Sequence, residues 1–217
     1  MLLPDHEIEK AIEDEGIIKN YDEDCIEPSS YDMRVGKRAI LSGIDKEIDV
    51  EKESGVVIKP GQFSIITTYE SLNFPNNLAG HIGVKSYYTR KGLVLLSGLQ
   101  IDPGFKGVLV LGVYNAAPRK LTLDYLSPFC TIEMHRLTTP VKKPYKNSIE
   151  QAKGMIPQID KDYLRTIETE SLSDLSNNVR NLTMNISNLT NMVYKILIPV
   201  AVGTLVVLIG TIIAKLF

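Results

Sequence analysis

Lys85, Ser86 and Arg90 fall within one short turn of the chain, and Asp102 follows after a brief apolar run. The stretch reads Val84-Lys85-Ser86-Tyr87-Tyr88-Thr89-Arg90-Lys91-Gly92-Leu93 and runs on to Gln100-Ile101-Asp102-Pro103-Gly104-Phe105-Lys106-Gly107. Cationic and hydroxyl side chains gathered in a turn can bind phosphate oxygens through charge-assisted hydrogen bonds. A carboxylate placed shortly after can orient or deprotonate a water attacking that phosphate. The same residues also suit a hairpin with a solvated charged end, and spacing alone does not separate the two.

The flanking sequence is strand-like. From Ile17 to Leu137 the period is two, in short runs such as Val56-Val57-Ile58, Phe63 to Thr68, Leu93 to Leu96, Val108 to Leu111, Leu121-Thr122-Leu123 and Thr131 to Met134. Many short strands separated by Gly, Pro and Asn turns predict a mainly β body, a sandwich or barrel. Ahead of it, Asp5 is the expected N-cap of a short helix with Ile8, Ala11 and Ile12 on its apolar face and Gly16 after its end.

A formal charge of -2 gives no case for a nucleic-acid-binding surface. Cys25 and Cys130 lack metal-ligand spacing and read as reduced thiols. His6, His81 and His135 show no metal spacing either. Glu133 and His135 alternate along one strand and can share a face as a surface pair. The N-terminus has no basic start followed by an apolar core, so no signal peptide is expected.

The tail changes period twice. Residues 138–170 begin irregular and basic, with Lys142, Lys143 and Lys146, and read as a linker or an arm lying over a neighbour. In 171–195, Leu172, Leu175, Val179, Leu182, Ile186, Leu189 and Val193, with Ile196 just beyond, alternate steps of three and four among polar residues. That is a coiled-coil seam. Residues 196–214 carry no charge and are bracketed by Lys195 and Lys215, as in a membrane-spanning helix. Val200, Gly203, Val207, Gly210 and Ala214 continue the seam with small residues suited to close helix packing. The expected arrangement is a C-terminal membrane anchor with the N-terminal body in the cytoplasm.

Residues 1–137 resemble the dCTP deaminase and dUTPase superfamily, most closely the archaeal-type dUTPases of the dCTP deaminase family. The residues that carry this are Met1-Leu2-Leu3-Pro4-Asp5, Glu27-Pro28-Ser29-Ser30-Tyr31-Asp32-Met33-Arg34-Val35-Gly36, Leu72 to Gly80, Lys85-Ser86 with Arg90, Ile101 to Gly107, and Tyr114-Asn115. The resemblance implies a distorted β-barrel or jelly roll, a homotrimer with sites between subunits, and a deoxynucleoside triphosphate, dUTP or dCTP, as substrate with Mg²⁺. It places Lys85, Ser86, Arg90 and Gln100 among the substrate-binding residues, Asp102 at the water-positioning or sugar-contacting carboxylate, and Phe105 against the deoxyribose. Asp32 is the residue expected to help hold hydrated Mg²⁺, with an ion pair to Arg34 as its structural alternative.

The departures bear on activity. Where the family's deaminases carry a proton-shuttling glutamate, this chain has Gly112, which favours the branch that hydrolyses dUTP to dUMP and pyrophosphate. A second serine of the basic turn is replaced by Tyr87, and the fourth motif's glutamine by Thr131. The glycine-rich closing arm is reduced to the candidates Gln151, Lys153 and Gly154. Three functions follow: a membrane-tethered trimeric dUTP pyrophosphohydrolase, a dCTP deaminase releasing ammonia, or a non-catalytic nucleotide-binding or structural trimer.

Overall fold

The computed structural model describes residues 1–44, 46–147, 153–166 and 172–216, and the chain divides into two units, Met1–Ser171 and Leu172–Phe217. The first unit opens with helix α1 (Asp5–Glu15), whose Ile8, Ala11 and Ile12 are buried as their spacing predicts. The N-cap is Pro4 and not Asp5; the Pro4 carbonyl accepts from Glu7 and Ile8, while Asp5 accepts from the backbone of His6. Proline has no N–H to leave unpaired at that boundary.

The strands are β1 (Ile18–Lys19), β2 (Ile26–Glu27), β3 (Ser30–Leu41), β4 (Ile48–Asp49), β5 (Gly55–Ile58), β6 (Phe63–Asn73), β7 (Leu78–Val84), β8 (Leu93–Leu95), β9 (Gln100–Ile101), β10 (Lys106–Asn115), β11 (Leu121–Asp124) and β12 (Pro128–Arg136). Among the described residues they form a ten-stranded sheet, main path β8-β10-β6-β3-β12-β7-β9, and a two-stranded sheet, β11-β5. Every pairing is antiparallel, and the architecture is a mainly β, curled half-barrel.

The curl depends on β3, which changes partners along its length. Tyr31 to Arg34 pair with β12, and Val35 to Leu41 pair with β6 across a bulge. Gly36 sits at the switch, where a Cβ would lie 2.3 Å from the Thr68 carbonyl oxygen, so only glycine lets the strands approach. Tyr31, Met33, Ile66, Leu72, Phe74 and Phe129 fill the core without solvent contact, each worth about 1.5–3 kcal/mol of burial.

The segment expected to be a linker or an arm over a neighbour is docked on its own β body where it is described. Tyr145 donates to the Pro103 carbonyl at 2.8 Å, and the Asn147 side chain accepts from the Lys106 backbone at 2.6 Å. Ile156, and Leu164 of helix α3 (Gln158–Thr166), close a second apolar cluster with Ile40 and Ile65. Lys161 adds a 2.7 Å ion pair to Glu47.

The second unit is helical: α4 (Leu172–Met192), a π-helical turn over Val193–Leu197, and α5 (Ile198–Leu216). Pro199 explains the π turn. Its ring would clash with a carbonyl one turn earlier, and widening the preceding turn relieves that clash. The run Leu175–Ile213 is long and apolar enough to cross a membrane, with mean hydropathy 2.7 in its most apolar window. Leu175, Val179, Leu182, Ile186 and Leu189 all stand exposed on the single chain.

Candidate active site

The basic turn is helix α2 (Ser86–Thr89), a single turn seated on the end of β7. Lys85 is its N-cap residue, and its N–H donates to the Phe129 carbonyl at 3.0 Å. Tyr88 is buried, with its hydroxyl 3.4 Å from Ser127 Oγ, so this tyrosine anchors the basic turn to the turn just before β12. Tyr87 faces outward beneath the Lys91 ammonium, which stands 3.8 Å from the ring centroid. Arg90 and Ser86 are exposed.

Lys85 is committed inside the chain. Its ammonium donates to Asp32 Oδ2, and the Asp32 side chain is only 6% exposed. This corrects the expected surroundings of Asp32. The carboxylate carries a cation from its own chain and does not pair with Arg34. Arg34 instead reaches Glu70 Oε1 at 2.6 Å and Asp22 Oδ2 at 2.7 Å. Burial pushes the Glu70 carboxyl up, while hydrogen bonds from Arg34 pull against that. A resident Mg²⁺ does not fit at Asp32, because an ammonium already neutralises its buried carboxylate.

The acidic turn is built differently. β9 pairs with β7, placing Gln100 opposite His81. Gln100 Nε2 donates to Asp102 Oδ1 at 2.8 Å, which fixes the carboxylate's orientation. Phe105 closes the turn by donating its N–H to the Asp102 carbonyl. Gly104 has φ +90, and a Cβ there would lie 2.8 Å from Pro144, so turn and docked segment both demand glycine. The Phe105 ring is buried and stacks on Tyr145, with centroids 5.8 Å apart at 26°.

Arg90 and the acidic turn line separate clefts, and neither lining includes Lys85 or Ser86. Gln100, Asp102, Phe105 and Tyr145 line one of about 210 Å³, floored by Leu109 and Leu111. Arg90 lines another of about 810 Å³, with Lys91, Arg119, Lys120 and Tyr87. Lys91, Arg119 and Lys120 had not been singled out from sequence, although Arg119-Lys120 follows Pro118 in a turn, where cations are readily presented.

The departures from the family pattern also have places. A Cβ at Gly112 would meet the Phe63 ring at 3.0 and 3.1 Å, and the Gly112 N–H donates to Ser97 Oγ at 2.6 Å. Thr131 pairs with Asp32 on one side and Gly83 on the other. Asn115 is buried and ties the turn to the Ile58 and Arg119 carbonyls, a structural role. Of the closing-arm candidates, Gly154 lies against Val108, Lys153 is exposed, and Gln151 falls outside the described residues.

The profile of the dCTP deaminase-like family matches residues 2–137. A dCTP deaminase of Pyrococcus abyssi is 38% identical over 156 residues, covering 72% of this chain and 97% of the relative. A dUMP-forming dCTP deaminase of Methanosphaera stadtmanae is 27% identical over 183 residues, covering 74% of this chain and 93% of the relative. The crystal structure of 2'-deoxycytidine 5'-triphosphate deaminase from Agrobacterium tumefaciens shares the fold at TM-score 0.52 and 21% identity, over 61% of this chain and 47% of that one. The chain belongs to the dCTP deaminase-like family.

Proposed function

We propose that this protein is a membrane-tethered homotrimer that hydrolyses dUTP to dUMP and pyrophosphate at sites shared between neighbouring copies. The observation that carries the reading is Gly112 beneath the Phe63 ring. The position that resembles the deaminases' glutamate holds no proton donor, and a side chain there would strike an aromatic ring. Hydrolysis needs no acid at the base, only a carboxylate that orients water, and Asp102 held by Gln100 has that form.

In this mechanism the triphosphate lies along the basic cleft of one copy, against Arg90, Lys91, Arg119 and Lys120. Ser86 hydrogen-bonds a phosphate oxygen. Lys85 contributes less than its charge implies, because Asp32 neutralises it. The Asp102 cleft of the adjacent copy supplies Gln100 for substrate contact and Phe105 as the apolar wall for the deoxyribose. Water oriented by Asp102 bonds to the α-phosphorus, its proton passes to the carboxylate, and the bond to the bridging oxygen breaks to release pyrophosphate. Asp32 does not fit a resident Mg²⁺; an ion carried in with the substrate would supply neutralisation of the triphosphate's charge. The exposed seam of α4 and α5 bundles the copies, and α5 anchors them in a bilayer with the β body in the cytoplasm.

A second reading, deamination of dCTP, is favoured by the names of the relatives. Incubating the full chain in detergent micelles with dUTP or dCTP and Mg²⁺, then separating the products, decides between them. Pyrophosphate and dUMP from dUTP, with no ammonia from dCTP, is the expected result. Ammonia from dCTP would replace the proposal with the second reading. Binding without either product would make the protein a non-catalytic nucleotide binder.

A further inference from the structure

His81, Glu133 and His135 meet on one face of the sheet, and none of the three lines the basic cleft or the Asp102 cleft. The pairing of β7 with β12 sets His81 opposite Glu133, and His135, two residues further along β12, shares their face. A donor atom from each lies within 4.8 Å of the others. The two imidazole rings stand edge to face, with centroids 5.0 Å apart.

One atom in this group is unaccounted for. His135 Nε2 is buried and has no hydrogen-bond partner among the described residues. The Glu133 carboxylate is 3.7 Å away, beyond hydrogen-bond reach. Leaving such an atom unpaired costs about 1–3 kcal/mol. Two imidazoles and a carboxylate suit a borderline-soft divalent ion such as zinc far better than magnesium. Ligand atoms around a tetrahedral zinc stand about 3.4 Å apart, so small side-chain rotations would bring these three into place.

We propose that His81, Glu133 and His135 bind one zinc-class divalent ion per chain. The ligands sit on two strands paired from Leu78 to Val84 and from Cys130 to Arg136, so the backbone already holds them at fixed spacing. The ion staples β7 to β12. Three protein ligands leave a fourth position for water. Gln100 flanks His81 from β9 and also bonds Asp102, which puts the metal beside the acidic turn without making it part of the nucleotide chemistry.

The test uses the full chain in detergent micelles, purified without a histidine tag, stripped with chelator and titrated with zinc chloride. A parallel titration with cobalt(II) is followed by visible absorption. One equivalent of zinc per chain, a tetrahedral cobalt spectrum and a higher unfolding temperature with zinc are expected. His81→Ala and Glu133→Gln each weaken zinc at least about tenfold, and His6→Ala leaves it unchanged. Both ligand substitutions are at exposed positions, and if one variant failed to fold the other would still decide. No zinc uptake, or parental affinity in a folded His81→Ala or Glu133→Gln variant, would overturn the assignment.

Discussion

The ammonium of Lys85 donates to the buried carboxylate of Asp32, tying the N-cap of the basic turn to β3. Two residues that sequence assigned to ligands thereby hold each other. Lys85→Ala would leave a buried charge unpaired. We expect a loss of about 2 kcal/mol by chemical denaturation, with most of it recovered in the double variant Lys85→Met with Asp32→Asn. An unchanged stability in Lys85→Ala would mean that the pair is not structural.

Gly112 is expected to resist enlargement. Gly112→Ala pushes a methyl group into the Phe63 ring and should cost about 1–3 kcal/mol. Adding Phe63→Leu should return part of that loss. Thermal unfolding of the two variants measures both effects, and a Gly112→Ala protein as stable as the parent would show that the ring yields freely.

Cys25 and Cys130 are buried, and burial pushes both thiols above their ordinary value, Cys130 the further. A thiol held protonated is a poor nucleophile. Iodoacetamide at neutral pH should label both at least about tenfold more slowly in the native protein than after unfolding. Rapid native labelling of Cys130 would contradict its place in the core.

Ile186 and Leu189 are each 63% exposed on the single chain and lie on the seam. Replacing both with lysine removes the apolar contact that a helix bundle requires. Cross-linking in detergent should give trimers from the parent and far fewer from the variant. Equal cross-linking would place the contacts elsewhere.

Sequence foresaw what is local and missed what is distant. The period of two located β5, β6, β10 and β12, and the spacing of Ile8, Ala11 and Ile12 located α1, because alternation and helical period are short-range signals. The Lys85–Asp32 pair, the docking of Ile156 and Leu164 on Ile40 and Ile65, and the meeting of His81 with Glu133 and His135 all depend on strand register, which no single segment encodes. The π turn before Pro199 was hidden for another reason. The seam's regular spacing runs straight through Val193 and Ile196, while the backbone there widens to accommodate the proline. For the nucleotide site, Gln100, Asp102 and Phe105 were legible as a turn and do share a cleft, but Arg90 lines a different one. The proposed function places the two clefts together only across neighbouring copies.

Mixing two disabled chains tests that claim most directly. Asp102→Ala and Arg90→Ala, each alone, should lose hydrolysis of dUTP. Unfolded together in equal amounts and refolded into mixed trimers, they should regain activity at about one site in four, because each intact site draws its carboxylate from one copy and its guanidinium from the next. Pyrophosphate release from the mixture, with none from either variant alone, is the predicted result. A mixture as inactive as its components, while the parent chain refolded in the same way is active, would contradict a site shared between copies.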